Sequence, residues 1–595
     1  MTTTPGTDPA AAPASPPTPP PPPRTLVLGA TGFIGRWLVL ELLRRGEPLA
    51  AAVRGGRDTA KDRELRRWLR AHGADDAPLT TVAADLTRPG LGLSPGDEAR
   101  LTRVRDVHNP AARYEFGLPR AEAHAANVDG ALHVLHWAAT RSGLRRLVHL
   151  SGYRVGRDPA PRHPLPDAET DALYARLGAY EASKQLGDAA VRVEAARLGV
   201  PLTTVNPSSV VGHSATGEAG QYVGPAELVR QLWHGRLPLL PGTARTFLPV
   251  VAVDHLARFL AAVPAHDHGP VHAHTVLDPS TPPLAELVAV VAEHLGVPAP
   301  RRLVPVGLVR RLPRALTGAD PETLTFLSED TYDTTSADRL ADAAGLQHPP
   351  VIPLLQSWAT RLVAEGFGAG DGSAPDTGFT PDTGSAPGVD SAPGTGSATP
   401  LAAIGFATVA GSRSFLLGDR EAPRHVLLHG AGADADAWRR VAARLSEPAL
   451  APDLPGLGRS SGATAPDHHW LAELLAPART RPLLVAHSTA AATALRYAAD
   501  HPDRVSGLVL VAPPHLRPDS AVVAKLPSHR PGAVRRAEAA LRSARRPSER
   551  ARVAALLASS STPVRLVPAP SLPQAGYPGE LALTIEDFTR SLPSR

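Results

Sequence analysis

The sequence predicts an α/β protein whose first domain is built on a doubly wound parallel sheet and whose second domain is also α/β. In the first half of the chain, short buried strands alternate with helical stretches, beginning with a strand over 25–30 and a helix over about 34–45. The alternation resumes near the C-terminus, where 425–428, 483–486 and 507–511 are predicted strands. At 595 residues the chain also exceeds what one core normally supports.

The amino-acid composition excludes several classes of protein. The chain has no cysteine, which excludes disulfides and thiolate metal sites. Its net charge of +5 comes mostly from arginine, and no basic stripe with interleaved aromatic residues indicates nucleic-acid binding. No apolar stretch is long enough to cross a bilayer, and the start of the chain lacks a signal-peptide pattern. We therefore expect a cytoplasmic protein without a membrane or nucleic-acid partner, and a homodimer stays open.

Two segments are predicted to be flexible. Residues 1–23 are rich in proline and indicate a disordered tail. Residues 368–400 repeat Asp-Thr-Gly and Ser-Ala-Pro with almost no large apolar side chains, so they cannot bury enough surface to offset the entropy of ordering. They predict a linker between a domain at 24–367 and a domain at 401–595.

A glycine-rich turn follows the first predicted strand. The segment from Gly29 to Gly35 reads GATGFIG and opens the first helix. Glycines there let the backbone approach a pyrophosphate, and the helix N-terminus supplies amide donors. The position between a strand and a helix predicts a Rossmann-type dinucleotide site, to which we assign the residues Gly29, Thr31, Gly32, Phe33, Ile34 and Gly35.

The second strand indicates which dinucleotide is bound. It ends at Val53 and is followed by Arg54, where an acidic residue would bind the ribose 2′-hydroxyl. An arginine suits a 2′-phosphate, so NADP(H) is expected, with NAD(H) as the alternative. At the end of the third strand, Asp85 and Leu86 are expected to meet the adenine.

A tyrosine and a lysine lie one helical turn apart in the segment YEASK. The Lys184 cation would lower the pKa of the Tyr180 phenol, so that the tyrosine can exchange a proton with a substrate oxygen. Ser151 closes the predicted strand LVHLS, where its hydroxyl can bind the same oxygen. We interpret Ser151, Tyr180 and Lys184 as the catalytic set.

These motifs resemble the extended short-chain dehydrogenase/reductase family over about residues 24–365. HNPAA at 108–112, NVDG at 127–130 and NPSSVVG at 206–212 add to the resemblance. It implies a nicotinamide-dependent oxidoreductase with further cofactor contacts at Ala111, Asn127, Pro207 and Ser209, and with Tyr180 and Lys184 also touching the cofactor.

The substrate class stays open between three branches of this family. The segment 85–94, DLTRPGLGLS, is similar to thioester reductases and fatty acyl-CoA reductases, which reduce acyl thioesters with NADPH. Asn206-Pro207 instead resembles dihydroflavonol-reductase-type carbonyl reductases. NAD-dependent sugar-nucleotide epimerases and dehydratases share the same core motifs. We expect reduction of a small-molecule carbonyl or acyl thioester.

The C-terminal domain resembles the α/β-hydrolase fold. VLLHG at 426–430, DLPGLGRS at 453–460 and LVAHSTA at 484–490 carry the resemblance, with Ser488 at the nucleophile elbow. It implies an oxyanion hole from the amides of Ala431 and Thr489. Ser571 occupies the catalytic histidine's place, and the strand that carries the acid is missing between about 547 and 563.

Without its base the serine would be a weak nucleophile, so we expect a poor or inactive hydrolase. His529 and Asp519 are the residues that could replace the missing partners. The alternative is a bifunctional enzyme with an active serine esterase or thioesterase.

Overall fold

The computed structural model describes residues 21–112, 118–155, 161–309, 327, 329–368, 401, 403–513, 529–567 and 578–592. The proline-rich segment up to residue 20 and the linker residues 369–400 lie outside the described residues. Two compact units make up the chain: residues 1–208 with 253–277 and 331–347, and residues 209–252, 278–330 and 348–595. The predicted domain boundaries at 24, 367 and 401 stay a prediction.

Strands and helices alternate through residues 21–368, as predicted. The strands are β1 Thr25–Val27, β2 Leu49–Val53, β3 Thr80–Ala83, β4 Asp106–Asn109, β5 Arg146–Leu150, β6 Leu202–Pro207, β7 Ser209–Val211, β8 Leu240–Pro241, β9 Val250–Ala252, β10 Val271–Val276 and β11 Leu303–Val304. The helices are α1 Phe33–Arg44, α2 Ala60–Ala71, α3 Pro95–Arg100, α4 Arg120–His124, α5 Gly130–Ala139, α6 Asp167–Leu177, α7 Ala179–Leu198, α8 Pro225–Trp233, α9 Val253–His266, α10 Leu284–Leu295, α11 Val306–Val309, α12 Thr335–Ala343 and α13 Val351–Ala364.

The first unit is organised by a seven-stranded parallel sheet in the order β10-β6-β5-β4-β1-β2-β3. Strand β2, with the sequence LAAAV, is buried along its whole length, as expected of a strand in a parallel sheet that helices cover on both faces. The chain reverses its direction of winding between β1 and β4, so the crevice at their carboxyl ends is where such sheets bind ligands. The prediction of a Rossmann-type sheet is confirmed.

The second half of the chain forms another α/β arrangement. Its strands are β12 Ile404–Val409, β13 Ser412–Gly418, β14 His425–Leu428, β15 Ala449–Pro452, β16 Leu483–His487, β17 Gly507–Val511 and β18 Val564–Val567. Its helices are α14 Arg439–Ala442, α15 Asp467–Leu475, α16 Ala490–Asp500, α17 Ala533–Ala544, α18 Pro547–Ala558 and α19 Pro578–Ser591.

These strands form a mixed sheet in the order β12-β13-β15-β14-β16-β17-β18. The pairs β12–β13 and β13–β15 are antiparallel, and the remaining neighbours are parallel. This sheet confirms the predicted second α/β fold. In the described stretch 529–563, which precedes β18, the chain forms helices α17 and α18 and no strand.

Within the second unit, two arginines meet the C-terminal end of α10. Arg530 donates to the carbonyl oxygen of Gly296 at 3.0 Å and also to that of Leu295, while its guanidinium lies 4.6 Å from the centre of the Trp233 ring. Arg413 Nε donates to the carbonyl oxygen of His294 at 2.6 Å. Cations at this end of a helix satisfy its last carbonyls and complement the helix dipole.

None of the helices in the described part of the chain is long and apolar enough to span a membrane.

Candidate active site

The glycine-rich turn packs so closely against neighbouring backbone that side chains would not fit at two of its glycines. Gly29 has a φ of +66°, and a Cβ there would lie 2.9 Å from the Cα of Ala111. A Cβ at Gly35 would lie 2.0 Å from the carbonyl oxygen of Gly29. Helix α1 begins at Phe33, after Gly32, with no side chain capping its N-terminus. This cradle fits a pyrophosphate; the exposed Thr31 and the half-buried Phe33 and Ile34 line the same turn.

Arg54 and Asp85 follow two adjacent strands, β2 and β3. Arg54 is exposed and Asp85 is half-buried. Hydrogen bonds from Thr87 lower the pKa of Asp85, and the Arg54 charge adds to this effect, so the two side chains share one region. The neighbouring Leu86 is half-buried, and its carbonyl oxygen contacts His133 Nδ1 at 2.8 Å.

Asn127 lies in a π-helical turn, Ala125–Asp129, between α4 and α5. Its amide nitrogen donates to Ser183 Oγ at 3.0 Å, and Ser183 Oγ donates to the carbonyl oxygen of Tyr180 at 2.8 Å. A Cβ at Gly187 would lie 2.3 Å from the Asn127 carbonyl oxygen, so this glycine allows the close approach of the two helices. The π turn and the start of α7 are thus held together.

The predicted catalytic residues lie on two elements that contact each other. Ser151 follows β5 and is buried, while Tyr180 and Lys184 lie one turn apart near the start of α7. Lys184 Nζ donates to the carbonyl oxygen of Leu150 at 3.0 Å, which ties the lysine to the residue before Ser151. Burial lowers the pKa of Lys184 to about 8, against an opposing effect of Asp188. The structure brings the lysine and the serine-bearing strand end together, and Tyr180 is half-buried one turn away.

Asp188 is a site residue that the sequence analysis missed. It lies one turn after Lys184 and is 2% exposed. Burial raises its pKa, whereas Arg192, the Ser151 hydroxyl and Lys184 each lower it. Its spacing of four residues from the lysine on one helix was the available signal.

The remaining predicted cofactor residues follow strand ends. Ala111 follows β4 and packs against Gly29. Pro207 ends β6, and its carbonyl oxygen accepts a hydrogen bond from the Tyr153 amide at 3.1 Å. Ser209 begins β7 and belongs to the second unit.

Ser488 occupies a sharp turn between β16 and α16. Its φ is +53°, the left-handed conformation that a nucleophile elbow requires. A Cβ on Gly430 would lie 2.6 Å from the Ser488 Cβ, so the loop after β14 passes directly over the serine. The elbow has the shape that its sequence predicts.

The first predicted oxyanion donor is already engaged. The Ala431 amide donates to the side-chain Oγ1 of Thr489 at 3.0 Å. An oxyanion hole needs amides that are free to donate to a substrate oxygen. The threonine hydroxyl therefore competes with a substrate for this amide.

Two histidines of the C-terminal α/β fold have hydrogen-bond partners in the structure. His529 Nε2 lies 3.1 Å from Asp434 Oδ2, and both side chains are buried. His429 is fully buried, with Nδ1 2.8 Å from the Gly430 carbonyl oxygen and Nε2 accepting the Leu454 amide at 2.9 Å. The predicted Ser571 and Asp519 lie outside the described residues.

Comparison with known proteins agrees with both halves of this description. Residues 27–260 match the family described as male sterility protein, and residues 426–593 match the α/β hydrolase family. The chain is 30% identical over 259 residues to the L-2-aminoadipate reductase large subunit of Penicillium chrysogenum, covering 40% of this chain and 18% of that protein. It is 29% identical over 195 residues to a dihydroflavonol 4-reductase of Callistephus chinensis, covering 31% of this chain and 51% of that protein.

The C-terminal part has its own relative. An esterase of Mycobacterium tuberculosis is 42% identical over 111 residues, which cover 17% of this chain and 37% of the esterase. All three matches leave about half or more of the relative's own length unaligned.

The fold, the glycine cradle and these matches define a nicotinamide-dinucleotide-binding reductase domain followed by an α/β-hydrolase domain. The N-terminal domain is of the extended short-chain dehydrogenase/reductase type and is similar to thioester reductases and dihydroflavonol reductases.

Proposed function

We propose that this protein is an NADPH-dependent reductase of a carbonyl or acyl-thioester substrate, with Ser151, Tyr180 and Lys184 as its catalytic residues. The observation that carries the proposal is the hydrogen bond from Lys184 Nζ to Leu150, which joins the lysine to the strand end bearing Ser151. NADPH supplies a hydride when it is bound.

In this proposal the chain's own residues supply the proton and stabilise the charge on the substrate oxygen. Tyr180 donates its phenolic proton to the substrate oxygen as negative charge develops there. Lys184 stabilises the resulting phenolate, and the Ser151 hydroxyl donates a hydrogen bond to the same oxygen. Asp188 is a positioning residue, because its charge favours the protonated form of Lys184.

NADPH is preferred over NADH because a cation follows β2. Arg54 is exposed, so that its guanidinium can bind a 2′-phosphate, and its charge acts on the nearby Asp85. The segment 85–94 favours the acyl-thioester branch, and the match to a dihydroflavonol 4-reductase supports the carbonyl branch.

A substrate panel tests this proposal. The full chain is incubated with NADPH and, separately, with an acyl-CoA series and a set of aldehydes and ketones, and nicotinamide absorbance is followed. We expect oxidation with at least one class, and loss of that activity in Tyr180→Phe but not in Tyr497→Phe, a buried tyrosine of the other fold. Activity that survives Tyr180→Phe would remove the tyrosine from the mechanism.

For the C-terminal domain we propose a poor or inactive hydrolase. Ser488 has the elbow conformation, but the Ala431 amide is held by Thr489 and the acid-bearing strand is missing from the described stretch before β18. His529, the substitute base considered above, contacts Asp434, and among the described residues no hydrogen bond joins it to Ser488. An elbow serine without a working base loses most of its catalytic power.

A further inference from the structure

A cluster of histidines and an aspartate lies at the edge of the first sheet, away from the proposed active site. The sequence 266–274 reads HDHGPVHAH and joins the end of α9 to the edge strand β10. His272 and His274 are alternate residues of this strand, so they project to the same face. Asp267 lies between them, and the ligand atoms of the three side chains all fall within 4.8 Å of one another.

The aspartate contacts both rings. Asp267 Oδ1 is in close contact with His272 Nδ1, and Asp267 Oδ2 lies 3.2 Å from His274 Nε2. For comparison, two ligands of a tetrahedral zinc ion with bonds of about 2.0–2.1 Å are roughly 3.4 Å apart. The spacing of the three side chains is close to that of one coordination shell.

The surroundings of His274 leave its Nε2 able to serve as a metal ligand. Ser336 Oγ donates to the carbonyl oxygen of Ala273 at 3.3 Å, and it lies 3.0 Å from His274 Nδ1. With its proton given to Ala273, the Ser336 oxygen can accept from Nδ1, and Nε2 can then offer its lone pair to a cation held against the Asp267 carboxylate.

Asp267 also accepts hydrogen bonds from residues outside the cluster. Thr203 Oγ1 on β6 donates to Asp267 Oδ2 at 2.5 Å. Arg146 donates to the backbone carbonyl oxygens of Asp267 at 2.6 Å and Gly269 at 2.9 Å. Such outer contacts are typical of metal ligands, because they fix the orientation of the coordinating groups.

We propose that Asp267, His272 and His274 bind a divalent transition-metal ion such as Zn²⁺. Two imidazoles and a carboxylate are the ligand set that Zn²⁺, Co²⁺ and Ni²⁺ accept. The His272 side chain is 40% exposed and gives the ion a path from solvent. Thr203 lies near the start of β6, whereas Pro207 ends it on the side of the proposed cofactor site, so the ion would join α9 to the edge strand rather than take part in reduction.

Titration of the metal-free full chain, prepared without a histidine tag, tests the site. We expect calorimetry with ZnCl₂ at pH 7.5 to show one tight site, and Co²⁺ to give visible d–d absorption. Asp267→Asn, His272→Gln and His274→Gln should each weaken binding at least tenfold. The double variant His468→Gln/His469→Gln should bind like the wild type, since it removes an adjacent histidine pair elsewhere.

Zn²⁺ should also raise the melting temperature of the wild type but not that of His272→Gln, a half-exposed position where glutamine keeps a hydrogen-bonding side chain. Circular dichroism of the metal-free variants checks that they fold. Wild-type protein that binds no Zn²⁺, or binding that His272→Gln and Asp267→Asn leave unchanged while both are folded, would overturn the proposal and leave the three side chains as a hydrogen-bonded cluster.

Discussion

Lys184 Nζ donates a hydrogen bond to the carbonyl oxygen of Leu150 at a distance of 3.0 Å. This bond joins helix α7 to the carboxyl end of β5, one residue before Ser151. The ammonium group is buried there, which lowers the pKa of Lys184 to about 8. The proposed role of Lys184 in the reduction depends on this contact.

The burial of Lys184 has a measurable effect on stability. Between pH 8 and 10.5 the unfolded chain holds a proton on Lys184 that the folded protein has lost, so stability rises with pH across that window. We expect the free energy of unfolding of the wild type, relative to Lys184→Met, to increase by about 3 kcal/mol from pH 8 to 10.5. Urea unfolding of both proteins at several pH values measures the difference. If the difference in unfolding free energy between the two proteins did not change with pH, the lowered pKa of Lys184 would be contradicted.

Asp188 is expected to control the protonation of Lys184. Its carboxylate favours the charged lysine, so Asp188→Asn should lower the pKa of Lys184 further. The alkaline limb of the pH profile of kcat/KM should then move to lower pH by roughly one unit. The exposed Asp171 offers a control, since Asp171→Asn should leave the profile in place. An unmoved limb in Asp188→Asn would show that this residue only supports the fold.

Cofactor choice should depend on Arg54. Replacing it with aspartate removes the partner of the 2′-phosphate and adds one for the 2′-hydroxyl, so Arg54→Asp should bind NADPH at least about tenfold more weakly and favour NADH. Arg67→Asp, an exposed position on α2, makes the same charge change as a control. Calorimetric titration with both dinucleotides measures the order. Equal affinities for NADPH and NADH in the wild type would reject the preference.

The hydrolase domain should contribute little ester hydrolysis. The full chain and its Ser488→Ala variant are expected to hydrolyse p-nitrophenyl esters of short and medium chain length at the same low rate, because the Ala431 amide is occupied and no base is paired with the serine among the described residues. Stopped assays with an acyl-CoA extend the comparison. Robust turnover that Ser488→Ala abolishes would mean that a histidine does serve as base, with His529 the first to test.

Arg530 is expected to stabilise the second unit. It is 9% exposed and donates to the carbonyl oxygens of Arg459, Gly296 and Leu295. Arg530→Met should cost about 2–4 kcal/mol, since it leaves buried carbonyls without donors at the end of α10. Arg535→Met, at an exposed position of α17, should change stability by less than about 0.5 kcal/mol. Thermal and urea unfolding of both variants tests this, and equal stabilities would argue against the contact.

Local patterns were enough to predict most of the two folds. Strand β17 at Gly507–Val511 has the predicted bounds and β2 ends at the predicted Val53, because each is a short apolar run between turn signals. The glycine cradle could also be predicted from local sequence, since Gly29 has a positive φ and a Cβ at Gly35 would meet the Gly29 carbonyl oxygen six positions earlier.

Contacts between distant segments could not be predicted from local sequence patterns. The hydrogen bond between Ala431 and Thr489 joins residues 58 positions apart, and nothing in either local motif signals it. The pairing of His529 with Asp434 spans 95 positions, and the hydrogen bond from Thr203 to Asp267 spans 64. A pattern along the chain specifies which element a residue belongs to, but such partners depend on how the elements pack.

Turnover and NADPH binding measured together in Tyr180→Phe decide whether Tyr180 is the proton donor. The phenylalanine keeps the ring and removes only the proton donor, so calorimetry should give an NADPH dissociation constant within about twofold of the wild type, while NADPH oxidation with the best substrate of the panel should fall at least roughly a hundredfold. Turnover equal to that of the wild type, with NADPH still bound, would exclude Tyr180 as the proton donor.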